Sequence, residues 1–124
     1  MSNKHIFISV AVFLLCSFNA PAFANKASAA IDAPEKARMG EVIKIKITIS
    51  HIGNNFIHHV NWAYVKVNGK VIGNWEFSFF NLPENENFSR EVTYTVDGPL
   101  TITAEGHCDI HGSKGKVEKT VAVE

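Results

Sequence analysis

Val42-Ile43-Lys44-Ile45-Lys46-Ile47-Thr48-Ile49-Ser50 decides the fold class. Isoleucine fills every second position, with Lys44, Lys46 and Thr48 between. Successive side chains of a strand point to opposite faces, so this period of two buries one face and leaves the other polar. Downstream, His58 to Val67 is predicted as a second strand, with Val60, Trp62 and Tyr64 sharing a face with His58. His59, Asn61, Ala63, Val65 and Val67 take the other face. Asn68-Gly69 is a two-residue hairpin signal, because both positions tolerate positive φ. Lys70 to Phe80 is the expected return strand, followed by strands at Phe88 to Val96, Leu100 to His107 and Lys116 to Val123. Upstream, Asn25 to Ala30 is expected as a flexible arm or an edge segment, and Pro34 to Glu41 as a turn-like approach. Trp62, Trp75 and the phenylalanines read as core. No sustained 3.6-residue period follows the first 24 residues. The pattern predicts an all-β chain: an immunoglobulin-like antiparallel β-sandwich of about seven strands.

The N-terminus carries an address. Lys4 and His5 precede the apolar run Ile6 to Phe18, and Pro21-Ala22-Phe23-Ala24 supplies small residues at a cleavage site. This is the pattern of a secretory signal peptide, residues 1–24, leaving one domain over residues 25–124 in the periplasm or outside the cell. The run is too short for a membrane span of ~20 residues, so no membrane association is expected after cleavage. Phe13-Leu14-Leu15 before Cys16 lacks the small residue that lipidation would need. Removing the leader takes one lysine from the 12 basic residues and leaves the 12 acidic ones. That near-neutral balance gives no reason to expect nucleic acid as a partner.

Of the two cysteines, only Cys108 remains in the processed chain. It cannot form an internal disulfide. It sits in Gly106-His107-Cys108-Asp109-Ile110-His111-Gly112, at C-x-x-H spacing between glycines. His51 follows the end of one strand and His58 opens the next, so the two flank a single loop. If that loop and the Cys108 turn lie at the same end of the sandwich, three imidazoles and one thiolate converge. Such a set suits zinc, copper or iron rather than calcium or magnesium. His59 and His107 are expected to face away from their neighbours and to be structural. Gly106 and Gly112 are expected to serve close backbone approach or positive φ. Nothing in the spacing supplies the third group that thiolate–imidazole hydrolysis needs.

Four segments together carry a family resemblance. Cys108-Asp109-Ile110-His111-Gly112 resembles the C-N-x-H-G turn of superoxide reductases, the desulfoferrodoxin and neelaredoxin group. His58-His59-Val60-Asn61-Trp62 resembles their H-Y-I-x-W strand, and His51 falls where their H-P-M histidine stands. Ile31 to Glu41 resembles their I-E-A-P-E-K-V-K-A-G-E approach. The resemblance implies a β-sandwich holding one non-haem iron, with His51, His58 and His111 as equatorial ligands and Cys108 as the axial one. It implies superoxide as substrate, hydrogen peroxide as product, and an electron donor that in the periplasm would be a protein such as a cytochrome. Association into a homo-oligomer fits the same picture. Lys26 matches the family's superoxide-guiding lysine.

One departure matters. The family's fourth equatorial histidine, in E-K-H-V-P-V-I, falls here in Asn25-Lys26-Ala27-Ser28-Ala29-Ala30-Ile31, and Ala27 binds no metal. The expected set is therefore three histidines and a cysteine, which zinc would also accept. The new α-amine at Asn25 is one candidate replacement. Two further readings stand beside the enzyme. A copper electron-transfer protein would share the late Cys-x-x-His but normally adds a methionine after it, and Met39 lies far upstream. A non-catalytic β-sandwich module with a degenerate metal site would explain Ala27.

Overall fold

The structure, a computed structural model, describes residues 25–124. The expected signal peptide, with Cys16, lies outside the described residues. Eight strands follow in order: β1 (Ser28–Asp32), β2 (Lys36–Ala37), β3 (Val42–Ser50), β4 (Val60–Val67), β5 (Lys70–Glu76), β6 (Asn87–Thr95), β7 (Leu100–Cys108) and β8 (Val117–Val123). They form two sheets, β1-β3-β6 and β2-β8-β7-β4-β5. No helix of the described residues is long and apolar enough to cross a membrane. The all-β, two-sheet sandwich matches the sequence expectation. Among the eight strands the one departure from antiparallel order is the two-residue β2, which pairs in parallel with β8.

The isoleucine alternation becomes β3 from end to end. Ile43, Ile45, Ile47 and Ile49 are each 3% exposed or less. Burying such side chains contributes about 1.5–3 kcal/mol apiece, so β3 is the main brace of the small sheet. Across from it stand Ala63, Val65 and Val67 of β4, and Leu100, Ile102 and Ala104 of β7, all buried. The two sheets approach tightly near one end of β3. A Cβ on Gly106 would stand 2.8 Å from Ile49 Cγ2, closer than real Cβ atoms come. Glycine at 106 is what lets β7 close on β3 there, meeting the expectation of close backbone approach.

Asn68 and Gly69 take φ of 49° and 83°, the two left-handed residues expected of the β4–β5 hairpin. Of the two readings of the segment from Asn25, the edge segment holds: Ser28–Asp32 pairs along β3 as an edge strand. Three other expectations need correction. The strand expected from His58 starts at Val60, and its register slips between Val60 and Trp62. That irregularity reverses the alternation: Val60 is fully buried with Ala63 and Val65, while Trp62 lies half-buried and stacks on Tyr64 and His107. Finally, β5 stops at Glu76 because Ser78 and Asn81 exchange backbone hydrogen bonds, folding the chain back. Only Phe77 and Phe88 of the phenylalanines among the described residues are core; Phe56, Phe79 and Phe80 are exposed.

Candidate metal centre

Two residues past the Ile49–Gly106 approach, each chain segment presents a possible ligand. His51 follows β3 and stays in register, its N–H donating to the Glu86 carbonyl at 2.8 Å. It is 3% exposed. Cys108 ends β7 and is fully buried. The Cys108 turn closes on itself: Cys108 N–H donates to the Gly112 carbonyl at 2.9 Å, and Gly112 N–H returns to the Cys108 carbonyl at 3.0 Å. Gly112 takes φ of 80° to make that closure, as expected for a left-handed position.

The loop between His51 and His58 crosses from the small sheet to the large one. Its two asparagines shape it. Asn55 Oδ1 accepts the Ile57 and His58 N–H groups at 2.8 and 3.0 Å, a local turn that sets His58. Asn54 is the hub. Its Oδ1 accepts from His51 Nδ1 at 2.9 Å and from the buried Val60 N–H at 2.9 Å. Its Nδ2 donates to the Asn85 carbonyl at 2.9 Å. With the Asn54 oxygen as acceptor, the proton of His51 is on Nδ1, and Nε2 carries the lone pair.

The atoms available for a metal gather here. One nitrogen each of His51 and His58 and the sulfur of Cys108 all lie within 4.8 Å of one another. Cys108 Sγ is 3.8 Å from His58 Nδ1 and 3.9 Å from His111 Nδ1. The rings stand edge to face, His51 against His58 at 5.0 Å and His58 against His111 at 5.3 Å between centroids. His111 borders the compact group of three from the turn side. His51 Nε2 is buried and, among the described residues, has no hydrogen-bond partner. An orphaned ring nitrogen is costly unless something binds it. Burial pushes the His51 imidazole below its usual pKa, the Asn54 hydrogen bond opposes this, and the adjacent His58 reinforces it. A neutral imidazole with its lone pair free is the state a metal requires. The donor set fits a soft-to-borderline transition metal.

The other histidines go where expected. His107 stacks on Trp62 at 4.7 Å and shares a hydrogen bond of 2.7 Å with Asn61 Oδ1 on the outer face of the large sheet. His59 turns aside, its Nδ1 3.0 Å from the Asn55 carbonyl. Asp109 fastens that residue, its Oδ1 accepting the His59 N–H at 3.0 Å. Burial pushes the Asp109 carboxyl up, but the His59 N–H, the His59 ring and Cys108 outweigh it and hold the group below its usual value.

Lys26 lines a cavity of about 250 Å³ beside His51, with Ser28, Ser50, Glu86, Asn87 and Lys114. Ala27 is fully buried next to the turn. Its N–H donates to the Gly112 carbonyl at 3.2 Å and its carbonyl accepts the Lys114 N–H at 2.8 Å. The residue without a ligating side chain is thus tethered to the cysteine turn. The Asn25 backbone comes close enough to the His51 ring to favour its protonated form, yet within ordinary hydrogen-bond geometry Nε2 has no partner among the described residues. Reading the sequence missed Asn54 and Lys114. Both lie in loops between strands, where composition alone singles out neither.

Comparison with known proteins follows the same line. The Desulfoferrodoxin family pattern matches residues 19–114. A superoxide reductase (neelaredoxin) from Ignicoccus hospitalis is similar in structure, with a TM-score of 0.66 and 20% identity, covering 87% of this chain and 89% of that one. A CARDB domain from Pyrococcus furiosus, solved in complex with di-metal ions, reaches a TM-score of 0.61 at 16% identity over 81% of this chain and 89% of that one. Fibronectin(III)-like modules of Clostridium thermocellum CbhA reach 0.53 at 19% identity over 77% and 96%. At these identities the structural likeness is one of fold. No curated protein matches the chain in sequence.

Proposed function

The chain belongs to the desulfoferrodoxin family, and from that premise we propose that it is a non-haem iron protein that reduces superoxide to hydrogen peroxide. The observation that carries the reading is the buried Nε2 of His51, which has no hydrogen-bond partner among the described residues, on a ring with one nitrogen within 4.8 Å of ligand atoms from His58 and Cys108. His51, His58, Cys108 and His111 are the proposed ligands. Bound iron would supply one electron per superoxide, which takes up two protons to become hydrogen peroxide, and the oxidised centre would be re-reduced by an external donor.

The chain's own residues do the rest. Asn54 fixes the His51 tautomer and leaves the lone pair on the buried Nε2. The reciprocal Cys108–Gly112 hydrogen bonds hold the sulfur and His111 on one tight turn. The cavity beside His51 gives a small molecule an approach, and Lys26 and Lys114 outnumber Glu86 on its lining, which favours an anion. Lys26 is proposed as the guiding cation. Residues 1–24 are proposed as a cleaved signal and residues 25–124 as the working domain, in the periplasm or outside the cell. A periplasmic electron carrier is the fitting donor.

A zinc-holding, redox-inert module is the second reading, and Ala27 favours it: with no ligating side chain at that position, the proposed set has the four members zinc prefers. Copper electron transfer lacks its methionine, since Met39 is 61% exposed just ahead of β3, whereas His51 follows the other end of that strand.

The deciding experiment loads the protein, processed to begin at Asn25, with ferrous iron under anaerobic conditions. Iron binding at one ion per chain is expected, with a thiolate-to-iron charge-transfer band on oxidation and loss of that band in Cys108→Ser. Superoxide consumption by the ferrous form, with peroxide as product, completes the test. Zinc retained in place of iron, with no such band, would refute the redox reading.

A further inference from the structure

Asp109 stands beside the sulfur without being one of the proposed ligands. Its Oδ1 lies 3.6 Å from Cys108 Sγ and accepts the His59 N–H at 3.0 Å. Its own N–H donates to the His59 carbonyl at 3.0 Å. Side chain and backbone are both fastened to one residue, so the carboxylate cannot swing from the sulfur without breaking that pair. Its ion-pair contact among the described residues is with the His59 ring, Nδ1 lying 3.7 Å from Oδ2. That nitrogen is already engaged by the Asn55 carbonyl at 3.0 Å. The Asp109 side chain is 28% exposed, so water screens part of its charge, while Cys108 is fully buried.

We propose that Asp109 is a positioning residue that sets the reduction potential of a metal bound at Cys108, holding it more negative than an uncharged side chain would. The inference rests on the metal centre proposed above. In the free thiol the S–H can donate weakly to Oδ1. When a metal displaces that proton the donation is lost, and a carboxylate faces a thiolate at close range. Charges this near, in a partly buried setting, interact strongly. The negative charge favours the oxidised, more positive member of a one-electron couple and disfavours the reduced one. No bond to Asp109 forms or breaks; the electron passes only between the metal and its donor or acceptor. The resemblance places asparagine in this turn, so the charge is a property of this chain.

The test uses the intact protein and Asp109→Asn. Asn keeps an acceptor oxygen for the His59 N–H, so the turn is retained. Both proteins are loaded with ferrous iron, metal content is measured, and the midpoint potential is then followed through the thiolate-to-iron band. Equal iron content is expected, with a more positive midpoint in Asp109→Asn. At a solution potential poised at the wild-type midpoint, the ratio of oxidised to reduced variant should fall several-fold. Glu118→Gln, which removes an exposed charge from β8, should leave the midpoint in place. An Asp109→Asn midpoint equal to or below that of the wild type overturns the inference while leaving the iron centre standing. Wild-type protein that takes up no iron overturns the centre and the inference together, and metal analysis reveals this before any potential is read. If Asp109→Asn does not fold, Asp109→Ser also offers an acceptor and carries the same expectation.

Discussion

Asn54→Leu tests the architecture of the centre directly. Leucine keeps the branched outline of asparagine, with bulkier methyl groups, but accepts nothing, so both hydrogen bonds to Asn54 Oδ1 are lost. The Val60 N–H suffers most, because Val60 is fully buried and water cannot replace the acceptor. A stranded buried donor costs about 1–3 kcal/mol, and that is the loss expected in the metal-free protein by urea denaturation. The Asn85 carbonyl lies on an exposed residue and recovers its partner from solvent. Binding is a separate matter. Without the Asn54 oxygen the His51 ring is free to change tautomer and to rotate. Loss of such a partner behind a ligating histidine weakens metal binding about 10–100-fold, or roughly 1.4–2.7 kcal/mol. Zinc is a suitable redox-inert probe, titrated in competition with a chromophoric chelator. Asn54→Asp keeps the accepting oxygen for both donors and should bind far closer to wild type. An Asn54→Leu protein that is destabilised yet binds zinc with wild-type affinity would refute the reasoning and reduce Asn54 to a loop brace.

Three other outcomes are expected. The His51 pKa is depressed in the fold, so below the unfolded value of about 6.5 the unfolded chain takes up a proton that the native one refuses. Metal-free stability should therefore be full above that pH and decline as pH falls towards the native pKa, a slope that urea titrations across the range should find reduced in His51→Gln. Gly106→Ala places a Cβ 2.8 Å from Ile49 Cγ2 and should lower stability by about 1–3 kcal/mol, as overpacking does, with weaker zinc binding in the same samples. Ala27→His adds an imidazole at a fully buried position beside the turn; the metal-free protein should lose stability, while iron binding tightens and the charge-transfer band shifts, both measurable in one anaerobic titration.

The parts of this fold that were legible in the sequence were those decided locally. The period of two in β3 needs only the alternation of isoleucine with lysine and threonine, and Asn68-Gly69 needs only tolerance of positive φ. The Cys108-x-x-His111 spacing likewise implied one turn carrying two donors. What escaped depends on partners far away in the chain. The slip between Val60 and Trp62 is a property of the β4–β7 pairing, and no glycine or proline in Val60-Asn61-Trp62 signals it. Hydrophobicity placed Phe79 and Phe80 in the core, yet the Ser78–Asn81 turn carries them outside. Asn54 is indistinguishable in sequence from its neighbour Asn55. Its role arises because β4 returns to place the Val60 N–H, and β3 the His51 ring, on the same oxygen.

The meeting of Ile49 with Gly106 has a bearing on selectivity between ions. His51 lies two residues beyond Ile49, just past the end of β3, and Cys108 two residues beyond Gly106, at the end of β7 in the opposite sheet. The gap between those two donors is thus gauged by an apolar contact that never touches a ligand. A bulkier residue at 106 would spread the jaws, and a slimmer one at 49 would let them draw in. Ions of different radius and preferred geometry would then be discriminated by hydrocarbon packing, with every coordinating side chain unchanged.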